Sequence, residues 1–122
     1  MSSLPTKDVR IGASCVMAEL ADTPASIEHG LSGRASLQEG HGMLFVFNAE
    51  YRWGIWMKGM YFPIDIMWAN AQGIIVAIAH DVSPASFPRA FWPSQPARYV
   101  LEVPAGFAAA HDITEGMKIE VR

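Results

Sequence analysis

The chain has 122 residues, 51% of them apolar and 17% charged, with a net charge of −3 at pH 7. That length is one domain able to bury a core, and the composition excludes a disordered chain. No Lys/Arg cluster is present, so the electrostatic footprint of a nucleic-acid binder is missing. The single cysteine, Cys15, excludes an internal disulfide and a cysteine-rich zinc site.

The N-terminal stretch, MSSLPTKDVRIG, has no apolar run of the signal-peptide kind. No stretch approaches the roughly 20 apolar residues that span a bilayer. The expectation is a soluble chain, cytoplasmic as written, or extracytoplasmic if a leader has been removed. Residues 1–8 read as a tail and 9–122 as a single domain. Val9–Leu20 is strand-like with a soft middle at Gly12-Ala13-Ser14. Thr23-Pro24 then opens a short helix, because threonine caps and proline suits the first helical position. Gly30 ends it. Residues 32–41 are a loop: Ser36 and Glu39 have capping-box spacing, but Gly40 and Gly42 follow at once.

Met43–Phe47 reads as a buried strand. Trp53–Lys58 and Ile64–Ala69 read as strands flanking Gly59–Pro63. The Asn70–Gly73 turn leads into a further strand, Ile74–Val82. Residues 83–98 carry four prolines and three large aromatics, which predicts an irregular loop. Tyr99–Val103 is a strand, Ala105–His111 a short helix after Pro104, and Met117–Val121 a final strand. The fold class is therefore α+β, predominantly β: a small, mainly antiparallel curled sheet or barrel with two short helices.

Five stretches carry a family resemblance: HGLSGR (29–34), GMLFVF (42–47), IWMKGMYFPIDIMW (55–68), GIIVAI (73–78) and ARYVLEVPAGFAAAHDITEGMKI (97–119). In that order they resemble domain-of-unknown-function family 192, the uncharacterised ACR family. The resemblance covers about residues 9–121. It implies a compact β-rich domain, mostly bacterial or archaeal, sometimes behind a leader or anchor, and it implies no activity. Three positions depart from the family pattern: Gly59 where asparagine is usual, Asp112 where glycine is frequent, and Met117 in place of the acid of a G-D pair.

The chemistry-bearing residues stand in apolar surroundings. An antiparallel pairing around Gly59–Pro63 places Lys58 opposite Asp65 and Trp56 opposite Met67. Glu102, inside YVLEV, is a third charge in an apolar strand, with Arg34 and Arg98 as the nearest basic candidates. The ligand-binding candidates are Lys58, Asp65, Glu102, Trp56, Arg34 and Trp92. The same residues also read as a structural ion-pair cluster with packed aromatics, and both readings stay open.

Other signals are weaker. His29, His41, His80 and His111 are widely spaced and show no metal-ligand pattern, so no metal and no cofactor are expected. Cys15 reads as a small buried residue and not a nucleophile. No G-x-S-x-G elbow or phosphate loop occurs. At least two of Trp53, Trp56 and Trp68 are expected in the core. Phe87, Phe91 and Trp92 either pin the proline-rich loop or line a groove. The reading that results is a non-catalytic, monomeric module for a small polar or glycan-like ligand or a partner protein. The alternatives are a small hydrolase or lyase using Asp65 and Glu102, and a purely structural accessory domain.

Overall fold

The computed structural model describes residues 4–122. Met1–Ser3 of the expected tail lie outside the described residues. The rest of that segment runs directly into a strand, β1 (Thr6–Ile11). The soft middle read at residues 12–14 is a hairpin turn, and β2 (Ser14–Ala21) pairs antiparallel with β1 from Thr6↔Glu19 to Ile11↔Ser14. Helix α1 (Pro24–His29) forms where the Thr-Pro signal places it. Thr23 Oγ1 accepts from the Ser26 amide at 3.1 Å, and Ser26 Oγ accepts from the Thr23 amide at 3.0 Å. Gly30 closes the helix, its amide donating to Ser26 O.

Beyond a loop, β3 (His41–Tyr51) begins, followed by the two-residue β4 (Ile55–Trp56), β5 (Ile64–Ala69) and β6 (Ile75–Val82). The proline-rich segment is not wholly irregular. It holds a 3-10 turn at Pro84–Ser86 and a short strand, β7 (Ala90–Phe91). β8 (Ala97–Pro104), α2 (Phe107–Ala110) and β9 (Ile119–Val121) complete the chain.

Seven strands form one sheet in the order β6-β5-β8-β3-β2-β1-β9. Its pairings are antiparallel except β2 with β3, which run parallel because α1 and the loop after it carry the chain across. The two sheet edges meet at one end through an Ile74–Lys118 bridge. Backbone bonds from Ile75 N to Met117 O and from Ile119 N to Gly73 O, both 2.8 Å, reinforce that seam. Gly73 is required there. Its φ is +82°, and a Cβ on it would stand 2.7 Å from Ile119 O.

Strands β2, β3, β5, β6 and β8 divide their side chains between two cores. One core contains Val9, Leu44, Met67, Leu101, Ile75 and Ile119. These come from both ends of the sheet, so they can share a cluster only because the sheet curls around them. The other core lies on the opposite face and contains Met43, Phe45, Ile66, Trp68 and Val100. It is covered by α1, by the loop carrying Leu31 and Leu37, and by residues 53–62.

The expected pairing around Gly59–Pro63 does not occur. β5 pairs with β6 and β8, while β4 pairs with β7 through Ile55↔Phe91 and Trp56↔Ala90. The reason is burial. Every residue of β5 is buried, which demands a sheet neighbour on each edge and a core on each face. Trp56 and Lys58 are exposed, Trp56 in a small outer ribbon of β4 and β7 and Lys58 in the turn that follows β4.

Candidate functional site

The outer core is open on one side, where a cleft of about 730 Å³ enters it. Its walls come from α1 and the turn after it (Ile27, Leu31), from β3 (Phe45, Phe47), and from Trp53 through Met60. Phe45 and Phe47 reach the same face because they are two apart on β3. Phe47 is stacked on Trp53, with ring centroids 4.4 Å apart and planes within 9°.

Glu102 lines this cleft. It lies on the outer-core face of β8, flanked across the ladders by Met43 of β3 and Ile66 of β5. Both neighbours are fully buried, and Glu102 itself is only 5% exposed. Among the described residues, nothing pairs with its carboxyl or donates to it. Burial without compensation pushes its pKa up to about 8. At pH 7 the group is therefore mainly a neutral acid that can donate a hydrogen bond into the cleft.

Asp65 does something else. It sits on the opposite face of the sheet, because it pairs with Val103 while Ile66 pairs with Glu102. Its Oδ1 accepts from the Asp81 amide at 2.8 Å and the Gly106 amide at 3.3 Å, and its Oδ2 accepts from the Ala108 amide at 2.9 Å. One extra residue on β6, between Ala79 and Val82, turns the Asp81 amide toward it. Asp65 thus ties β5, the β6 bulge and the start of α2 together. It neither faces Lys58 nor shares a cleft with Glu102.

The remaining candidates divide. Lys58 and Trp56 line the cleft with Glu102, and Lys58 Nζ stands 5.7 Å from the Trp56 ring centre. Arg34 is committed to Glu19 through two bonds of 2.5 and 3.0 Å. Trp92 is outside the cleft. It borders a second, shallower depression with Tyr51, Arg52 and Pro96, and it is 60% exposed. Arg98 Nε donates to Phe47 O at 3.1 Å.

Cys15, expected in the core, is exposed on β2. Of the three tryptophans expected on strands, Trp68 is buried, Trp53 is half-buried and lies between β3 and β4, and Trp56 is exposed. His29, the last residue of α1, lines the cleft, a placement the sequence did not signal because helix and strand sit far apart along the chain. Among the described residues, no group of His, Cys, Asp or Glu side chains could hold a metal ion.

Fold and site define a small curled-sheet domain with an aromatic cleft floored by one unpaired acid. Among the described residues, no helix is long and apolar enough to cross a membrane. The chain belongs to domain-of-unknown-function family 192, the Uncharacterized ACR family, whose model matches residues 7–121. It is 33% identical over 100 residues to a UPF0127 protein of Thermococcus gammatolerans. That match covers 80% of this chain and 61% of the relative, so the chain spans about three fifths of that protein's length.

Two crystal structures have the same fold at a TM-score of 0.93. One, from Sinorhizobium meliloti and named as a candidate transcription regulator, is 30% identical, with 99% of this chain and 97% of that chain covered. The other, a protein of unknown function from Novosphingobium aromaticivorans, is 29% identical, with 98% and 88% covered.

Proposed function

We propose that this domain is a non-catalytic module that binds a small polar or glycan-like ligand in the Glu102 cleft. The observation that carries this reading is an acid buried without a partner in a cleft walled by rings. Burying an ionisable group this way costs stability, and a ligand that hydrogen-bonds to it offsets that cost. Apolar walls with one or two polar groups at the floor are the usual make-up of a small-molecule site.

The hydrolase or lyase alternative needs Asp65 and Glu102 in one cleft. Their opposite faces argue against it, and the amides that Asp65 accepts from leave it no catalytic freedom. The regulator name of the Sinorhizobium neighbour suggests nucleic acid as a partner. A net charge of −3 without a basic stripe speaks against that reading here.

The test is tryptophan-indole and methionine-methyl NMR while a panel of neutral sugars, amino sugars and small polyols is titrated in. Saturable shifts at Trp53, Trp56 and Met60, lost in Glu102→Leu, are expected. A flat response across the panel would remove the reading.

A further inference from the structure

Resting on the reading of the cleft as a ligand site, we propose that the group its ligand presents to Glu102 is a weakly hydrated cation, an alkylated or quaternary ammonium. Three observations lead there. First, Glu102 is 5% exposed and, among the described residues, lacks any cationic or donating partner, so its ionised form has no countercharge at the floor. Second, Phe45, Phe47, Trp53 and Trp56 line the same space. Aromatic rings attract a cation through their quadrupole, and more strongly once it has left water. Third, an ammonium already uses this rim: Lys58 Nζ stands 5.7 Å from the Trp56 ring centre.

An anionic ligand would suit Lys58 and His29 at the mouth but would meet a carboxyl at the floor. A primary ammonium keeps a tight hydration shell that these apolar walls cannot replace, whereas an alkylated one sheds water readily.

The charged and titratable groups facing the cleft are Glu28 and His29 from α1, Lys58 from the turn after β4, and Glu102 from β8. β3 and β5 present only apolar side chains to Glu102 in the adjacent ladders. The cation must meet an ionised Glu102, whose apo pKa is about 8. Affinity therefore rises with pH up to that value and levels off above it.

The test is calorimetric titration of the full chain with choline and with its neutral carbon isostere, dimethylbutanol. Choline is expected to bind about tenfold more tightly than the isostere near the plateau. That preference should vanish in Glu102→Gln, which keeps shape and removes charge. Lys58→Met, which removes the competing ammonium, should tighten choline binding. In the unmodified side-chain background, choline affinity should rise by up to about tenfold per pH unit below the plateau. A parallel His29→Gln series controls for the imidazole that lines the cleft, and the profile stands even if Glu102→Gln fails to fold. Neutral sugars binding while choline does not would overturn the cation assignment and leave the ligand cleft standing. Silence from choline, the isostere and the neutral panel alike would overturn both.

Discussion

Asp65 and Glu102 are one register step apart across the β5–β8 ladder, and the peptide pleat sends them to opposite faces. One is saturated with backbone amides and the other has none. Asp65→Asn replaces one accepting oxygen with a donor aimed at a backbone amide. It should destabilise the fold by about 3 kcal/mol in a urea melt, since bonds to a charged acceptor are among the stronger ones. Lys58→Met is exposed and unpaired with Asp65, so it should change stability by less than about 0.5 kcal/mol, and the double variant should be additive. A coupling energy comparable to the Asp65 effect would contradict the observed separation.

Glu102 makes stability depend on pH. In the unfolded chain its carboxyl titrates near 4.5, and in the folded chain near 8. Between those values unfolding releases a proton, so stability falls as pH rises, and the penalty is constant above the upper value. Melts at about pH 5 and pH 8 should show the difference between the natural chain and Glu102→Gln growing by on the order of 3 kcal/mol in favour of the glutamine variant. An unchanged difference would place the carboxyl in contact with water.

At the scale of elements, the outer ribbon of β4 and β7 is the informative piece. Trp92 lies over Gly54: a Cβ there would fall 2.5, 2.7 and 2.8 Å from three neighbouring atoms of the indole ring. Three near-equal distances mean the ring presents its face to the glycine and not its edge. Gly54→Ala should push the ring off, at a cost of about 1 kcal/mol. A red shift in tryptophan emission that is absent from Gly54→Ala/Trp92→Phe would confirm which indole moved. Emission unchanged by Gly54→Ala would show that the ring does not rest there.

The same ribbon shows what was legible in the sequence and what was not. Thr23-Pro24 and Gly30 announced α1, because capping is a local bond between residues three apart. Ile64–Ala69 was readable as a strand from its apolar run. The candidate Glu102 was readable as an anomaly, a charge in such a run. Pairing was not readable. Trp53–Lys58 and Ile64–Ala69 look like the arms of a hairpin, but the partners of the second are β6 and the distant β8. Proximity in sequence favoured the wrong ladder, and only the demand of β5 for burial on all sides decides it. The amides that hold Asp65 come from a bulge and a helix start, neither of which leaves a periodic signature. The cleft walls likewise come from segments whose adjacency only the sheet order creates.

For the whole molecule, the decisive contact is the seam between the two sheet edges at Ile74 and Lys118. It removes exposed strand edges at that end, which otherwise invite pairing with other chains. Gly73→Ala combines an unfavourable positive φ with a Cβ 2.7 Å from Ile119 O, and it should cost about 2–3 kcal/mol. Amide exchange should then accelerate first at Ile75 and Ile119, which donate across the seam. Protection retained at both amides would mean that the seam adapts to the extra carbon.

The β1–β9 ladder has a consequence for how the protein is made. A ribosome delivers β1 well before β9, and every other strand of the sheet emerges in between. Until β9 appears, the outer edge of β1 has no ladder partner and the seam cannot form, however well the intervening strands have paired. The nascent chain therefore travels with an open, sticky border that only its last strand seals. Such a border is the kind of surface that holding chaperones grip. Chains stalled on the ribosome just short of β9 should stay protease-sensitive and chaperone-bound, while chains with β9 clear of the exit tunnel should become resistant in a single step.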